Sequence, residues 1–308
     1  MIEIKHLRKE YGANVAIDNL NLEIPTGEVY GLIGPNGAGK TTLITILATL
    51  LEPTYGTAKV HGIDVRKEPL KVHRLIGYMS DVFALYENMR AWEYLDHFAR
   101  CYGVDRRKRQ GLIDQALELV DLQDRREADV KTLSRGMRQR LCFAKTLLHE
   151  PKVFLLDEPA SGLDPKARVE FRELIKKLHD MGRTVLISSH ILHEMADFCT
   201  SVGMFERGRL LATGKVADIV KQLNHGLGLS VEALDNPEGV AAILGRFPEA
   251  ADIRGTPRGA VCRWMGDRSG LPALHRALVQ ADIPVVSFAA REGDLEDLYL
   301  RVTRQEAL

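Results

Sequence analysis

The chain has 308 residues, with 42 basic and 42 acidic side chains and a hydrophobic share of 45%. This length predicts about two globular domains, and the ordinary apolar fraction excludes a disordered chain. The lack of a basic excess argues against nucleic acid as the main partner. No apolar run approaches the roughly 20 residues that span a bilayer, so we expect no membrane helix.

Residues 1–5 do not have the basic and apolar pattern of a secretory signal, which predicts a cytoplasmic protein. The cysteines are scattered and include no CxxC pair, so we expect buried, reduced thiols. These cysteines are Cys101, Cys142, Cys199 and Cys262.

The chain divides into two regions of different pattern. Up to about residue 221, short β-rich runs alternate with helical patterns, which predicts an α/β fold with a parallel core sheet. The clearest β-rich runs are 29–33, 153–156 and 184–187. Residues 91–132 show helical patterns only, which predicts a helical insert over about 85–150. We place the first domain at 1–224 and the second at 225–308.

The second region has its own composition. Residues 226–308 contain nine arginines, twelve acidic residues and no lysine, a net charge of −3 that leaves +3 for the rest. The predicted elements are strand 229–234, helix 237–244, strand 251–254, strand 259–265, helix 271–280, strand 284–289 and a last helix 294–304. The first six follow the βαββαβ order of a small ferredoxin-like α+β domain.

Residues 34–41 read GPNGAGKT and fit the phosphate-loop pattern GxxxxGK[ST], or Walker A. A β-rich run precedes them, and a helical pattern over 43–51 follows. Glycines let the backbone N–H groups turn towards phosphate, and the helix N-terminus adds positive potential. Lys40 would reach the β- and γ-phosphates, and the Thr41 hydroxyl would bind Mg²⁺. The predicted nucleotide-binding residues here are Gly34, Pro35, Asn36, Gly37, Ala38, Gly39, Lys40, Thr41 and Thr42.

Two apolar strands end in side chains suited to nucleotide hydrolysis. The run 153–156 ends in Asp157 and Glu158, at the edge where parallel sheets bind ligands. Asp157 suits a metal ion, and Glu158 is placed to orient and polarise a water molecule. The strand that begins near residue 184 ends in His190, whose neutral imidazole would hold the water and Glu158 in register. The predicted catalytic residues are Glu158, His190 and Lys40, and Asp157 is a predicted metal ligand.

Residues 133–141 read LSRGMRQRL and lead into a helix just before the acidic strand. Ser134 and Gly136 at a helix start form a second anion site, with Ser134 as the helix cap. Arg138 and Arg140 are expected to be exposed on that helix.

With this signature, the phosphate loop and the acidic strand in order, the chain resembles the ATP-binding cassette (ABC) family over about residues 2–221. The resemblance implies a P-loop NTPase core of ABC type. In that family the signature serves the ATP bound by a second subunit. The resemblance therefore implies a head-to-tail dimer that encloses two ATP molecules.

Smaller matches follow the family order. Tyr11 resembles the aromatic residue that stacks on adenine, and residues 76–81 resemble the loop that joins the core to the helical insert. Residues 161–164 resemble the loop through which the two subunits sense each other, and His190 matches the switch histidine.

Two positions depart from the family pattern. Asp81 stands where glutamine usually contacts Mg²⁺ or the water, so the resemblance implies that it is a metal ligand with Thr41 and Asp157. Its carboxylate adds a negative charge near the phosphates. The signature reads SRGM rather than SGGQ, which puts the Arg135 guanidinium near the partner's phosphates.

The resemblance implies an export-type ATPase subunit that uses ATP and Mg²⁺. Its expected partners are a second copy or a paralogous cassette, and a separate integral membrane permease at the inner face of the cell membrane. The second domain would regulate or stabilise the dimer, or only extend the packing. The alternatives are a soluble cassette ATPase that acts on ribosomes or DNA, and a regulatory ATP-binding module without useful turnover.

Overall fold

The computed structural model describes residues 1–82, 85–190, 195, 197–218 and 227–292. The chain forms two compact units, Met1–Val216 and Ala217–Leu308. The boundary between them lies eight residues before the position 224/225 expected from the sequence.

The strands described in the first unit are β1 (Ile2–Tyr11), β2 (Asn14–Ile24), β3 (Val29–Ile33), β4 (Tyr55–Val60), β5 (Ile63–Asp64), β6 (Ile76–Met79), β7 (Val153–Leu156), β8 (Thr184–Ser189), β9 (Ser201–Glu206) and β10 (Arg209–Lys215). The helices described there are α1 (Lys40–Leu47), α2 (Pro69–His73), α3 (Ala91–Cys101), α4 (Arg106–Leu119), α5 (Arg135–Leu147) and α6 (Pro165–Asp180).

The predicted parallel core sheet is confirmed. Its strand order is β10-β9-β3-β8-β7-β6, with β9 and β10 antiparallel and the other neighbours parallel. Every residue of β3, β7 and β8 is buried, as expected for strands covered on both faces. The carboxyl ends of these strands therefore meet at one edge, where the phosphate loop, Asp157 and His190 follow them.

The first unit also contains a four-stranded sheet that the sequence analysis did not predict. Its order is β2-β1-β4-β5, and all its neighbours are antiparallel. Buried Ile2 and Ile4 alternate with more exposed Glu3 and Lys5 at the start of β1, as in a strand covered on one face. Bulges in β1 break this alternation after Lys5, which weakens the signal in the sequence.

The helical insert lies between β6 and β7. Residues 85–150, all of them described, contain α3, α4 and α5 and no strand. The helix after the phosphate loop, α1, begins at Lys40 and ends at Leu47, earlier than the expected 43–51. It ends because Thr49 adopts a positive φ of 63°, which an α-helix does not contain.

The second unit has the predicted βαββαβ order. Its described elements are β11 (Leu227–Ala233), α7 (Pro237–Leu244), β12 (Ala250–Thr256), β13 (Gly259–Trp264), α8 (Leu271–Gln280) and β14 (Val285–Glu292). The antiparallel sheet order β12-β13-β11-β14 is that of a ferredoxin-like fold. One core is formed by the sheet and both helices, with Trp264 fully buried. The helix expected over 294–304 lies outside the described residues.

Cys142, Cys199 and Cys262 are buried free thiols, as predicted, but the prediction is wrong for Cys101, which is exposed. Cys101 is the last residue of α3, and it is exposed although it lies seven residues after buried Tyr94 on the same helix face. None of the helices described has both the length and the apolar composition needed to cross a membrane.

Candidate nucleotide-hydrolysis site

The phosphate loop joins β3 to α1, and its path depends on glycine. Gly37 and Gly39 have positive φ angles of 82° and 106°, which glycine adopts without strain. A Cβ on Gly39 would overlap the carbonyl oxygen of Ala16, and one on Gly34 would overlap that of Phe205. The loop therefore needs glycine at 34 and 39 because of space, and at 37 because of conformation.

Lys40 begins α1 and is only 5% exposed. Its Nζ donates hydrogen bonds to the carbonyl oxygens of Gly34 at 2.6 Å and Pro35 at 3.1 Å. The same atom lies 3.3 Å from Oε1 of Glu158. Since a buried ammonium group requires negative partners, it is held inside the loop in a position to bind phosphate.

The other predicted residues of the loop differ in exposure. Asn36 is exposed, and Ala38 is buried with its carbonyl oxygen accepting a hydrogen bond from Gly208 N at 2.9 Å. Thr41 is exposed and Thr42 is half-buried, both in the first turn of α1. The Thr41 hydroxyl is therefore accessible at the N-terminus of a helix.

Asp157 follows β7 and is 1% exposed. Its Oδ1 accepts a hydrogen bond from Ser188 Oγ at 2.7 Å, and that Oγ accepts one from Glu158 N at 2.9 Å. Its backbone N–H donates to the carbonyl oxygen of Met79 at 2.9 Å. A buried carboxylate with a single side-chain donor among the described residues suits a cation ligand, because a charge in the interior is costly without a counter-charge.

Glu158 contacts both of the other predicted catalytic residues, Lys40 and His190. Its Oε2 accepts a hydrogen bond from Nδ1 of His190 at 2.8 Å, and its buried Oε1 faces Lys40. Within the described residues, Oε1 accepts no hydrogen bond. The backbone of Glu158 has a positive φ of 46°, a strained conformation for a residue with a side chain. The Ser188 hydroxyl holds this strained position by accepting the Glu158 N–H.

The negative charge of Asp157 also affects Tyr78 in the neighbouring strand β6. Burial raises the pKa of the Tyr78 phenol, and the Asp157 carboxylate raises it further, whereas a hydrogen bond with Thr45 opposes this. Tyr78 therefore stays neutral beside the carboxylate.

Asp81 is exposed and lies two residues after β6. Its strand pairs in parallel with the one that ends before Asp157, with Met79 opposite Leu156. The two aspartates therefore follow adjacent strands at the same sheet edge.

Tyr11 ends β1 and is 50% exposed. It pairs with Asn14 in the hairpin to β2, and the Lys9 ammonium lies 5.1 Å from the centroid of its ring. Two residues beyond Asn14, the carbonyl oxygen of Ala16 touches Gly39 of the phosphate loop. The hairpin that carries Tyr11 is thus packed on the loop.

The signature begins α5 and packs on the segment after Glu158. Ser134 is the helix cap and accepts a hydrogen bond from Met137 N at 3.2 Å. A Cβ on Gly136 would lie 3.5 Å from that of Ala167 in α6. In the described part of the chain, the contacts of Ser134 and Gly136 are not with the phosphate loop of their own chain.

The expectation that Arg138 and Arg140 are exposed is wrong. Their side chains are 31% and 17% exposed. Arg138 donates hydrogen bonds to the carbonyl oxygens of Leu133 and Lys131, and Arg140 donates one to that of Val120. Carbonyl groups in turns and at helix ends of the insert need donors, and long guanidinium side chains reach them.

Sequence reasoning missed Ser188, which bridges Asp157 and the backbone of Glu158. The signal was present, since two serines end the otherwise apolar run of β8 at the ligand edge of the sheet. It also missed Ala16 and Gly208, whose backbones contact the loop. Those contacts have no signal in the side-chain pattern.

In the part of the chain that the structure describes, no three His, Cys, Asp or Glu side chains converge on a possible metal site. The oxygen ligands that follow the strand ends at this edge of the sheet include the Thr41 hydroxyl and the Asp157 carboxylate. They suit a hard cation that shares its coordination with phosphate and water.

A parallel sheet with a phosphate loop at one strand end and a paired aspartate and glutamate at another defines a P-loop nucleotide hydrolase. The family model described as "ABC transporter" matches residues 17–161. The chain is 35% identical to the uncharacterized ABC transporter ATP-binding protein YhcH of Bacillus subtilis, over 98% of this chain and 96% of that protein. It is 34% identical to the daunorubicin resistance ATP-binding protein DrrA3 of Streptomyces coeruleorubidus, over 98% and 95% respectively.

A solved dimeric post-hydrolysis state of an ATP-binding cassette, bound to ADP and Pi, is similar with a TM-score of 0.64 and 26% identity. The match covers 70% of this chain and 99% of that one. The chain belongs to the ABC transporter family. It is an ATP-binding subunit that hydrolyses ATP and so powers transport.

Proposed function

We propose that the chain drives export through a separate integral membrane permease. Its location would be the inner face of the cell membrane, and its dimer partner a second copy or a paralogous cassette. The likeness to a daunorubicin resistance protein over 98% of the chain supports export, because a transport ATPase confers resistance most directly by removing the drug.

The catalytic proposal depends on one observation. A single carboxylate, that of Glu158, lies 2.8 Å from Nδ1 of His190 and 3.3 Å from Nζ of Lys40. Lys40 would exchange its carbonyl partners for the phosphates of ATP. Oε1 of Glu158, which accepts no hydrogen bond among the described residues, would then accept one from the attacking water.

In the reaction, the water oxygen forms a bond to the γ-phosphorus while the bond to the bridging oxygen of ADP breaks. Glu158 orients the water and accepts its proton, and Lys40 stabilises the negative charge on the phosphate oxygens. His190 holds the Glu158 carboxylate in place, because its protonated Nδ1 can only donate to that group.

Mg²⁺ would be held by the Thr41 hydroxyl and the Asp157 carboxylate, with Asp81 beside them at the same sheet edge. The buried charge of Asp157 supports this assignment. When bound, Mg²⁺ neutralises charge on the phosphates. Asp81 supplies a carboxylate where the family usually has a neutral amide.

For the rest of the nucleotide, the half-exposed ring of Tyr11 would stack on adenine. Ser134 and Gly136 would contact the ATP held by the partner chain. The region 225–308 would act as an accessory domain that regulates or stabilises the dimer.

Purification of the tagged chain from detergent-solubilised membranes tests the proposal. We expect an integral membrane protein to co-purify and to stimulate ATP hydrolysis. In inside-out vesicles that contain both proteins, ATP should drive accumulation of daunorubicin, used as the probe. Capture of ribosomes or DNA instead of a membrane protein would favour a soluble cassette. Absence of turnover in the complex would favour a regulatory module.

A further inference from the structure

We propose that Arg135 is a positioning residue that clamps residues 161–162 of its own chain onto the start of α5. Through that segment it would hold Glu158 in place for hydrolysis. This inference rests on the proposed role of Glu158.

The guanidinium of Arg135 covers Gly162 directly. Its Nη2 donates to the carbonyl oxygen of Ser161 at 3.4 Å. A Cβ on Gly162 would overlap both terminal nitrogens and the central carbon of the guanidinium, so the group lies against the glycine backbone. Gly162 also has a positive φ of 68°. The contact therefore depends on a residue without a side chain at this position.

The clamped segment leads straight back to Glu158. The backbone N–H of Ser161 donates to the carbonyl oxygen of Glu158 at 3.0 Å. At the other end, Asp164 caps α6 by accepting a hydrogen bond from Ala167 N at 2.9 Å. The segment is thus fixed at both ends, and Arg135 holds the exposed glycine between them.

The signature helix packs beside the same segment. A Cβ on Gly136 would lie 3.5 Å from that of Ala167 and 3.8 Å from Cδ2 of Leu163. This apolar packing brings α5 and α6 together, and the Arg135 contact extends it to Ser161. A displacement of the start of α5 would therefore be passed to the segment that carries Glu158.

In a head-to-tail dimer this arrangement would connect two ATP sites. The start of α5 would contact the ATP of the partner, and the clamp would transmit its position to the Glu158 of its own chain. A planar guanidinium suits this role because it can stack on a peptide and donate along its edge. A lysine ammonium lacks the planar surface.

The test uses the full-length chain and measures turnover, ATP binding and amide hydrogen exchange. Arg135→Ala, Arg135→Lys, Gly162→Ala and the double variant Arg135→Ala/Gly162→Ala form the series. Arg107→Ala, an exposed arginine in the first turn of α4, is the matched control.

We expect Arg135→Ala to reduce turnover about tenfold, since small displacements of a catalytic group are costly. ATP affinity of the isolated chain and its thermal midpoint should not change. Exchange of the Ser161 amide should become faster in Arg135→Ala, but not in Arg107→Ala. Arg135→Lys should behave like the alanine variant. The double variant should lose no more than the worse single variant, because both changes break one contact.

Additive losses in the double variant, near a hundredfold, would overturn the clamp, as would unchanged exchange at Ser161. If Arg135→Lys restores turnover and Arg135→Ala weakens ATP-dependent dimerisation, the side chain instead contacts the partner's phosphates. Glu158→Gln in the same assay distinguishes failure of the clamp from failure of the catalytic role proposed for Glu158. If that variant remains active, the catalytic assignment fails, and if it is inactive while the clamp series is additive, only the clamp fails.

Discussion

One oxygen of the Glu158 carboxylate is in a hydrogen bond, and the other is only in an ion pair with Lys40. Oε2 receives the His190 hydrogen bond, whereas Oε1 is buried and accepts none from the described residues. A carboxylate held in this way is oriented by one partner and remains free to accept from a water molecule with the other oxygen. Its strained backbone fixes the direction of the side chain.

Glu158→Gln tests this directly. The amide keeps the size of the side chain but cannot accept a proton, so turnover should fall by about 100-fold or more. The variant should still bind ATP, because Lys40 and the loop are unchanged, and titration calorimetry measures this binding. Glu173→Gln is the control, since Glu173 is exposed on α6 and paired with Lys176. Phosphate release near the wild-type rate would contradict the assignment.

Ser188 holds the Asp157 carboxylate and the backbone of Glu158. Ser188→Ala leaves Asp157 Oδ1 without its side-chain donor and the Glu158 N–H without its acceptor. Loss of a buried hydrogen-bond partner costs about 1–3 kcal/mol, so the free energy of unfolding in urea should fall by that amount. Turnover should fall as well, because Glu158 is no longer held in its strained conformation. Ser230→Ala, in β11 of the second unit, should change neither quantity.

At the scale of the elements, the path of the phosphate loop depends on its contact with β2. Gly39→Ala would place a methyl group on the carbonyl oxygen of Ala16 at a positive φ of 106°. The loop would have to move, and ATP affinity should fall at least tenfold. Gly182→Ala separates the two causes, because Gly182 also has a positive φ, of 72°, but open space around it. If both variants lose the same free energy of unfolding, the positive φ angle alone explains the cost of Gly39→Ala. The overlap with the carbonyl oxygen of Ala16 would then contribute nothing.

We expect another junction, where the insert meets the core sheet, to be sensitive to pH. His149 follows α5, and its Nε2–H donates to the carbonyl oxygen of Ile76 at 2.8 Å. The centroid of its ring lies 4.1 Å from that of Tyr102, with the two rings tilted by 32°. Burial lowers the pKa of His149 below its ordinary value of 6.5, although the hydrogen bond to Ile76 opposes this shift. Protonation would add an N–H at Nδ1, which is buried without a partner among the described residues.

The unfolded chain therefore takes up this proton at a higher pH than the folded chain. The contribution of His149 to stability is complete above pH 6.5 and is lost as the pH falls below it. His149→Gln retains a donor for Ile76 and should show less loss of unfolding free energy between pH 7.5 and pH 5.5. Urea titrations at both values measure this. If His149→Gln loses as much free energy of unfolding between the two pH values as the wild type does, other groups cause the acid sensitivity.

At the scale of the whole molecule, the sequence predicted elements with regular patterns and missed contacts between backbones. The parallel strands were predictable because continuous apolar runs mark strands buried on both faces. The sheet of β1, β2, β4 and β5 was not, because bulges interrupt the alternation in β1. Arg138 and Arg140 were misjudged because charge in a sequence does not reveal carbonyl acceptors supplied by distant turns.

The two units have separate cores, and each unit contains one of the two tryptophans. Trp92 lies in α3 of the first unit, and Trp264 is 1% exposed in the core of the second. ATP binds only the first unit in our proposal. A ligand at about 100 times its Kd stabilises its site by about 2.7 kcal/mol, which raises the midpoint by about 5 °C or more for a unit of this size.

Fluorescence of the Trp264→Phe variant, which reports Trp92, should therefore show a thermal midpoint that rises with ATP and Mg²⁺. The Trp92→Phe variant, which reports Trp264, should show no shift. Both are made in the Glu158→Gln background so that ATP persists during heating. Lys40→Ala should abolish the shift at Trp92, because the loop loses the charge that binds phosphate. An equal rise at both tryptophans would mean that the units unfold as one cooperative body, and the accessory domain would then respond directly to ATP.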